Sequence, residues 1–299
     1  MGVPLTFRPA VPSDRPAIEA LLAAVRVADH RPALSEHKQL HLVGDEEARV
    51  AVAHRNLGGD VVGYGQAAWH HPGRTGGAGH WAIEVVLHPT VRSDEALDRL
   101  FGETIASVRG EGRVTAWAWD LFTAGAMERR GWVATRALHE MRRGLPMFHD
   151  APLPPGVRLD RFRPGVDEAE WLAVNNAAFE GHPENGALTV QDLERKLARP
   201  WFDPAGLLMA RSGGRLLGSC WTKLHPGGVG EIYTIGVHPG ARGRGLGVAL
   251  VVAGLDDLHT RQGASTAMLY VDEANEEGLR LYRRLGFRTT LINREYEAG

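Results

Sequence analysis

The sequence predicts an α/β (mixed α+β) fold: two tandem domains, each a mixed, mostly antiparallel sheet flanked by helices. Three observations predict it. First, strand-like runs rich in β-branched residues alternate with segments whose apolar residues recur every three to four positions. Second, the order of elements begins again halfway along: Phe7-Arg8-Pro9 returns as Phe162-Arg163-Pro164, His88-Pro89 as His238-Pro239, and Gly131-Trp132 as Gly286-Phe287. Third, a proline-rich join from Gly144 to Gly156, with Pro146, Pro152, Pro154 and Pro155, separates the copies. Such a segment is extended and continues neither a sheet nor a helix. The expected division is 1–145, a linker at 146–156, and 157–299.

Taken in order, residues 3–9 read as a strand, and Ser13 as the cap of a helix carrying Ile18, Leu21, Leu22 and Val25. Strands at 49–55 and 60–69 flank Asn56-Leu57-Gly58-Gly59, a hairpin signal. A fourth strand ends at Leu87, and Leu97, Phe101, Ile105 and Val108 mark the helix after it. Strand 113–119, a helix near 122–130 and a strand from Trp132 complete the first copy. The second has a strand at 157–163, helices from Trp171 to Phe179 and after Thr189, and strands near 206–212, 215–224 and 229–237. A helix, strand 266–271, a helix from Asn275 to Leu285 and a last strand follow.

The stretch Glu231 to Gly247, EIYTIGVHPGARGRGLG, carries the chemistry. It reads as a strand, a loop holding Arg242, Gly243, Arg244, Gly245 and Gly247, and a helix with Val248, Val251, Leu255 and Leu258 on one face. Several backbone N–H groups then converge at a helix N-terminus, a place that suits a phosphate. Glycines permit close backbone approach and positive φ angles. There is no Gly-Lys-Ser/Thr of a P-loop, and the spacing is not G-x-G-x-x-G.

Composition bounds the partners. The chain has 299 residues, 43% hydrophobic and 23% charged, with a formal net charge of −2, which makes no electrostatic case for nucleic acid or an anionic membrane. No apolar run approaches a membrane span, and Met1-Gly2-Val3-Pro4 leads into a strand-like segment, not a signal peptide. Cys220, the single cysteine, lies between apolar strand residues and reads as core; one cysteine suits a reducing cytoplasm. The histidines show no zinc-site spacing, so no metal is expected. A monomer is expected from a chain that already contains a duplication.

Arg242-x-x-Gly245-x-Gly247 after Val-His-Pro resembles the acetyl-CoA pyrophosphate loop of the GNAT superfamily of acetyltransferases. Asn275-x-x-Gly278-x-x-Leu281-Tyr282-x-x-x-Gly286-Phe287 is similar to its N-x-x-A-x-x-L-Y-x-x-x-G-F pattern, with Gly278 where alanine is usual. Acetyl transfer from a thioester to an amine needs a neutral amine, stabilisation of an oxyanion and protonation of the departing thiolate. Glu231 stands an even number of residues before Ile235, so it faces the same side as the strand end Ile235-Gly236-Val237. That makes it the candidate base, through water, and Tyr282 the candidate acid. The first copy reads Val91-Arg92-Ser93-Asp94-Glu95-Ala96 in place of the glycine loop, with Trp81 opposite Glu231 and Met127 opposite Tyr282, and is degenerate.

Longer blocks narrow the resemblance. Asn175 to Gly186 (NNAAFEGHPENG), Trp201 to Leu207, Trp221-Thr222-Lys223, Gly230 to Tyr233 and Met268 to Asp272 are similar to blocks of the mycothiol synthase family. The resemblance implies acetyl transfer from acetyl-CoA to the cysteine amine of a cysteinyl-glucosaminyl-inositol. It implies acceptor contacts at Glu36, Glu184, Lys223, Glu231 and Tyr270. It implies acetyl-CoA contacts at Ile235, Gly236 and Val237, at Arg242, Gly243, Arg244, Gly245, Leu246, Gly247 and Val248, and nearby at Asn275, Glu276, Glu277, Gly278, Leu279 and Arg280. A further acetyl-CoA contact falls on Val85, Val86 and Leu87 of the first copy. Two other functions fit the loop: acetylation of a different amine, such as a protein N-terminus or an aminosugar, and non-catalytic sensing of acyl-CoA.

Overall fold

The computed structural model describes residues 5–29, 32–35, 38–39, 42–43, 48–55, 59–70, 79–108, 110, 112–181 and 186–298. Two compact units emerge from it. Leu138–Ile292 form the second; the described residues up to Ala137, together with those from Asn293 onward, form the first.

In the first unit, β1 (Leu5–Pro9), β2 (Ala48–Arg55), β3 (Val61–His70) and β4 (His80–Leu87) pair antiparallel in sequence order, and β5 (Arg113–Ala118) lies parallel to β4. Helix α1 (Arg15–Asp29) covers one face, burying Ile18, Leu21 and Val25 with Val52 and Tyr64. Helices α2 (Asp94–Ala106) and α3 (Leu121–Arg129) cover the other, where Leu97, Leu100, Phe101 and Met127 meet Ile83 and Ala116. Ser13 is not the helix cap that the sequence suggested. It sits inside a 3-10 turn, Pro12–Asp14, where the Asp14 carboxylate, held by Arg8, turns back to take the Val11 N–H at 2.8 Å. Of the Asn56–Gly59 turn, residues 56–58 lie outside the described residues.

The second unit repeats the plan. Strands β7 (Arg158–Arg161), β8 (Leu207–Ser212), β9 (Arg215–Leu224) and β10 (Val229–Val237) are antiparallel neighbours, and β11 (Thr266–Asp272) is parallel to β10. Helices α4 (Glu168–Ala178) and α5 (Val190–Leu197) pack Trp171, Val174 and Leu193 against Leu207, Met209 and Trp221 on one face. Thr189 caps α5 as its sequence implied, accepting the Asp192 N–H at 3.2 Å. The opposite face carries α6 (Leu246–Thr260) and α7 (Glu276–Arg284), whose Leu250, Leu255, Leu258 and Leu279 join Cys220 and Ile232 in a second core. Each such buried leucine contributes about 1.5–3 kcal/mol.

The last two strands are shared. Strand β6 (Trp132–Gly144) places 138–144 in the second unit, antiparallel to the whole of β11. Strand β12 (Arg288–Ala298) ends in the first unit, where Arg294 to Glu297 pair with β5. The compact units therefore divide within strands and not at the proline-rich join. The parallel strand of each unit would otherwise present an open row of backbone donors and acceptors, and the closing strand of the other copy supplies its partner.

Helix α6 lies close on β9 because Gly254 has no side chain: a Cβ there would sit 2.6 Å from Cys220 Sγ and 2.9 Å from Ile232 Cδ1. Gly254→Ala is expected to cost about 1–3 kcal/mol through overpacking. A thermal or urea melt showing no loss of stability would refute this packing.

Candidate functional site

Two features of β10 build the site. Pairing with β9 runs from Gly230↔Leu224 to Val237↔Gly218 but skips a residue: Ile232 faces Thr222 and Thr234 faces Trp221, leaving Tyr233 as a bulge. On the other side, β10 follows β11 only from Val229↔Thr266 to Glu231↔Met268, after which the strands part, while β11 stays paired with β6 to Asp272. Alternate N–H groups of 232–237 point to the side from which β11 has withdrawn.

The bulge corrects the sequence reading of Glu231. Counting by twos puts Glu231 on the face of Ile235, but the extra residue reverses the parity. Ile235 lies opposite Cys220, on the α6 side. Glu231 lies opposite Lys223, on the face where Trp171 Nε1 donates to Ser219 Oγ at 3.0 Å, the α4 side. Gly236 shares that α4 face, and its missing Cβ leaves room for Ala178 and Phe179, whose atoms would lie 3.0 and 3.2 Å away.

A polar row crosses four strands on this face. Lys223 comes from β9, Glu231 from β10, Tyr270 from β11, and Glu140 and Arg142 from β6. Glu231 is buried, and its Oε2 lies 2.6 Å from His225 Nε2. The Tyr270 hydroxyl donates to Glu140 Oε2 at 3.3 Å, and Arg142 Nε donates to Glu140 Oε1 at 2.7 Å. Burial first, and then the negative charges of Glu140 and Glu231, push the Tyr270 phenol well above its ordinary range, so it remains a neutral donor. The Lys223 ammonium stands 4.4 Å from the Trp201 ring centre and 5.1 Å from that of Tyr233, and Lys196 Nζ donates to the Tyr233 hydroxyl at 2.6 Å. Sequence reasoning missed His225, Glu140 and Arg142. Alternation along β9 from Lys223 would have found His225; Glu140 and Arg142 arrive on the shared strand, which leaves no local signal.

At the other end of β10 the loop turns through His238, whose Nδ1 accepts the Gly240 N–H at 3.2 Å, and Arg242, whose Nε donates to Val237 O at 3.4 Å and Nη2 to Ala178 O at 2.8 Å. Arg242 thus ties the loop to the end of α4, while Arg244 stays exposed. Gly243 and Gly245 have φ of 77° and 78°, and among the described residues nothing lies within 4 Å of where their Cβ atoms would be. Gly245 occupies the cap position of α6 with no side-chain hydrogen bond, so the first-turn N–H groups of Leu246, Gly247 and Val248 have no capping side chain. Leu246 itself is core.

The first unit holds a closed version of this turn. His88 Nδ1 accepts the Thr90 N–H at 3.3 Å, and Arg92 Nε donates to Leu87 O at 3.4 Å, as their counterparts do. Yet Ser93 caps α2 with its own hydroxyl, accepting the Ala96 N–H at 3.2 Å, and Asp94 and Glu95 follow at once. That helix end is filled and negatively charged. Val85, Val86 and Leu87 are buried and line a cleft with Asp29, Arg92 and Trp119.

Asn275 caps α7 by accepting the Gly278 N–H at 2.9 Å; a Cβ on Gly278 would come within 2.7 Å of that amide. Glu276 pairs with Arg280, Glu277 is exposed, and the Leu279 side chain is core, so Leu279 could meet a ligand only through its backbone. Tyr282 is 8% exposed in the α6-side core, its ring edge-on to Phe287, and burial raises its phenol. Cys220 is buried and its thiol raised by burial, as a core residue. Asn176 clips the end of α4 to Leu188 by hydrogen bonds of 2.9 and 3.1 Å. Glu36 and Glu184 lie outside the described residues. Among the described residues, no group of three or more His, Cys, Asp or Glu is arranged to hold a metal ion.

If the open end of α6 is an anion site, Gly245→Asp, which gives it the carboxylate the first unit carries, is expected to weaken coenzyme A binding at least tenfold. Calorimetry with coenzyme A checks this, and unchanged affinity would move the site elsewhere.

Residues 171–287 match the family model described as Acetyltransferase (GNAT) family. The mycothiol acetyltransferase of Streptomyces avermitilis is 41% identical over 283 residues, covering 93% of this chain and 89% of its own. That of Thermomonospora curvata is 45% identical over 225 residues, 72% and 73% of the two chains. Among solved structures, a GCN5-related N-acetyltransferase from Sphaerobacter thermophilus superposes with a TM-score of 0.69 at 24% identity, covering 99% of this chain and 96% of that one. A tandem GNAT protein from the clavulanic acid biosynthesis pathway does so with 0.68 at 19%, covering 99% of each. These two likenesses show a shared fold. The bulged and parted strand, the open glycine loop and the 41% identity to the S. avermitilis protein over most of both chains agree, and the chain belongs to the mycothiol acetyltransferase family of GNAT acetyltransferases.

Proposed function

We propose that this enzyme transfers the acetyl group of acetyl-CoA to the cysteine amine of desacetylmycothiol, the cysteinyl-glucosaminyl-inositol acceptor, giving mycothiol. The observation that carries the reading is strand β10, which joins a buried carboxylate, Glu231, to an uncapped helix N-terminus at Gly245. Relatives named mycothiol acetyltransferase support the acceptor.

Acetyl-CoA supplies an acyl carbon activated as a thioester. The open turn 242–248 fits its pyrophosphate: vacant space at Gly243 and Gly245 and N–H groups without a capping side chain favour an anion. Backbone N–H groups of 235–237, on the side left by β11, suit the pantetheine arm and the acyl oxygen. Glu231 takes the proton of the attacking amine through water. An α-amine titrates at about 8, so a remote carboxylate suffices, whereas a lysine side chain at about 10.4 would ask more. Tyr282, held protonated by burial, gives a proton to the departing sulfur. Base and acid belong to opposite faces of the sheet, Glu231 to the α4 face and Tyr282 to the α6 core, which suits an amine and a thiolate on opposite sides of one carbon. Lys223 and Tyr270 offer the acceptor polar contacts, as do Glu36 and Glu184 by resemblance. The closed turn at Ser93 supports a scaffold role for the first unit.

Purified protein with acetyl-CoA and desacetylmycothiol should give the acetylated product by mass spectrometry. Glu231→Gln should lower kcat/KM by about 10²–10⁴-fold, and Tyr282→Phe should lower kcat with little change in acetyl-CoA affinity. Absence of product from the wild type, with acetyl-CoA binding intact, would redirect the search to other amines.

A further inference from the structure

Among the described residues, the carboxylate of Glu231 has one hydrogen-bonding side chain, beside the polar row. His225 Nε2 stands 2.6 Å from its Oε2, and the two side chains are 24% and 8% exposed. With the carboxylate ionised, Nε2–H donates to it. The contact follows from the hairpin: Lys223 faces Glu231 directly, so His225, two residues on, sits diagonally on the same face. The backbone of His225 is fixed at both ends of the turn. Its N–H donates to Val229 O at 2.9 Å, and its carbonyl accepts from Gly228 at 3.1 Å. Gly227 and Gly228 make that turn possible with φ of 91° and 78°.

We propose that His225 is the positioning residue of this acetyltransferase: it fixes the Glu231 carboxylate by occupying Oε2, leaving Oε1 to take the amine proton through water. The inference rests on Glu231 as the general base. A glutamate in a polar row has other claims on it. Lys223 stands opposite on β9, Tyr270 two residues past the facing Met268 on β11, with Glu140 and Arg142 behind on β6, and Lys196 reaches Tyr233 from α5. The Lys223 ammonium is drawn to the rings of Trp201 and Tyr233, and the Tyr270 hydroxyl is given to Glu140. Among the hydrogen bonds of the described residues, the one that orients this carboxylate is from His225. A carboxylate free to rotate loses the alignment that proton transfer needs, and the loss appears in kcat, since the donor site lies at the other end of β10.

The test is a double-mutant cycle with Glu231→Gln, His225→Ala, His225→Gln and the Glu231→Gln/His225→Ala double variant. His225→Ala should lower kcat at least tenfold while the KM for acetyl-CoA and the melting temperature stay near wild type. His225→Gln, which keeps an N–H donor, should recover most of the loss. In the Glu231→Gln background, His225→Ala should cost less than twofold more, because its route to the reaction has already been removed. Wild-type kcat in His225→Ala, no recovery with glutamine, or full additivity in the cycle would overturn the proposal while leaving the base reading intact. Wild-type kcat in Glu231→Gln would overturn the base reading itself.

Discussion

The single extra residue in β10 is the constraint on which the rest of the site depends. Because Tyr233 has no counterpart on β9, the strand changes face between Ile232 and Thr234. Upstream, Ile232 packs under α6 while Glu231 looks toward α4; downstream, Ile235 and Val237 return to the α6 core and Gly236 admits the end of α4. One bulge thus lets a strand bury apolar residues under the same helix at both ends and still present a carboxylate and a closely approached glycine to the other face. The parting from β11 begins at the same place, and the backbone groups it releases lie between the carboxylate and the glycine loop.

The two copies of the turn after this strand share their framework and differ at the helix that follows. Both hold a histidine that receives a backbone N–H and an arginine that returns to the last strand carbonyl. The difference lies at the next helix. Ser93 satisfies the first turn of α2 with its own hydroxyl, whereas Gly245 offers the equivalent groups of α6 no side-chain acceptor. Helix N-termini carry unsatisfied donors by construction, and the identity of one capping residue decides who meets them.

Strand sharing is the third element. The open side of β11 is covered by β6, which also brings Glu140 and Arg142 beside Tyr270. A site that reads as the property of one sequence copy is therefore completed by a strand encoded before the proline-rich join.

The sequence alone determined what local physics controls: the alternation of elements, the helix after Thr189, the helix opened at Asn275, the glycine loop and the acidic, glycine-free turn opposite it. Each depends on contacts within a few residues, so the chain records them locally. The family resemblance was legible for the same reason, in contiguous blocks from Asn175 to Phe287. Tertiary structure decided the rest. A bulge is a property of two strands, so counting along one of them put Glu231 on the wrong face. Glu140, the partner of Tyr270, sits 130 residues away on a shared strand, and the 3-10 turn that takes up Ser13 ends in Asp14, which Arg8 holds. Register and strand exchange are set by which backbone groups still need partners once the sheets assemble, and no single segment contains that information.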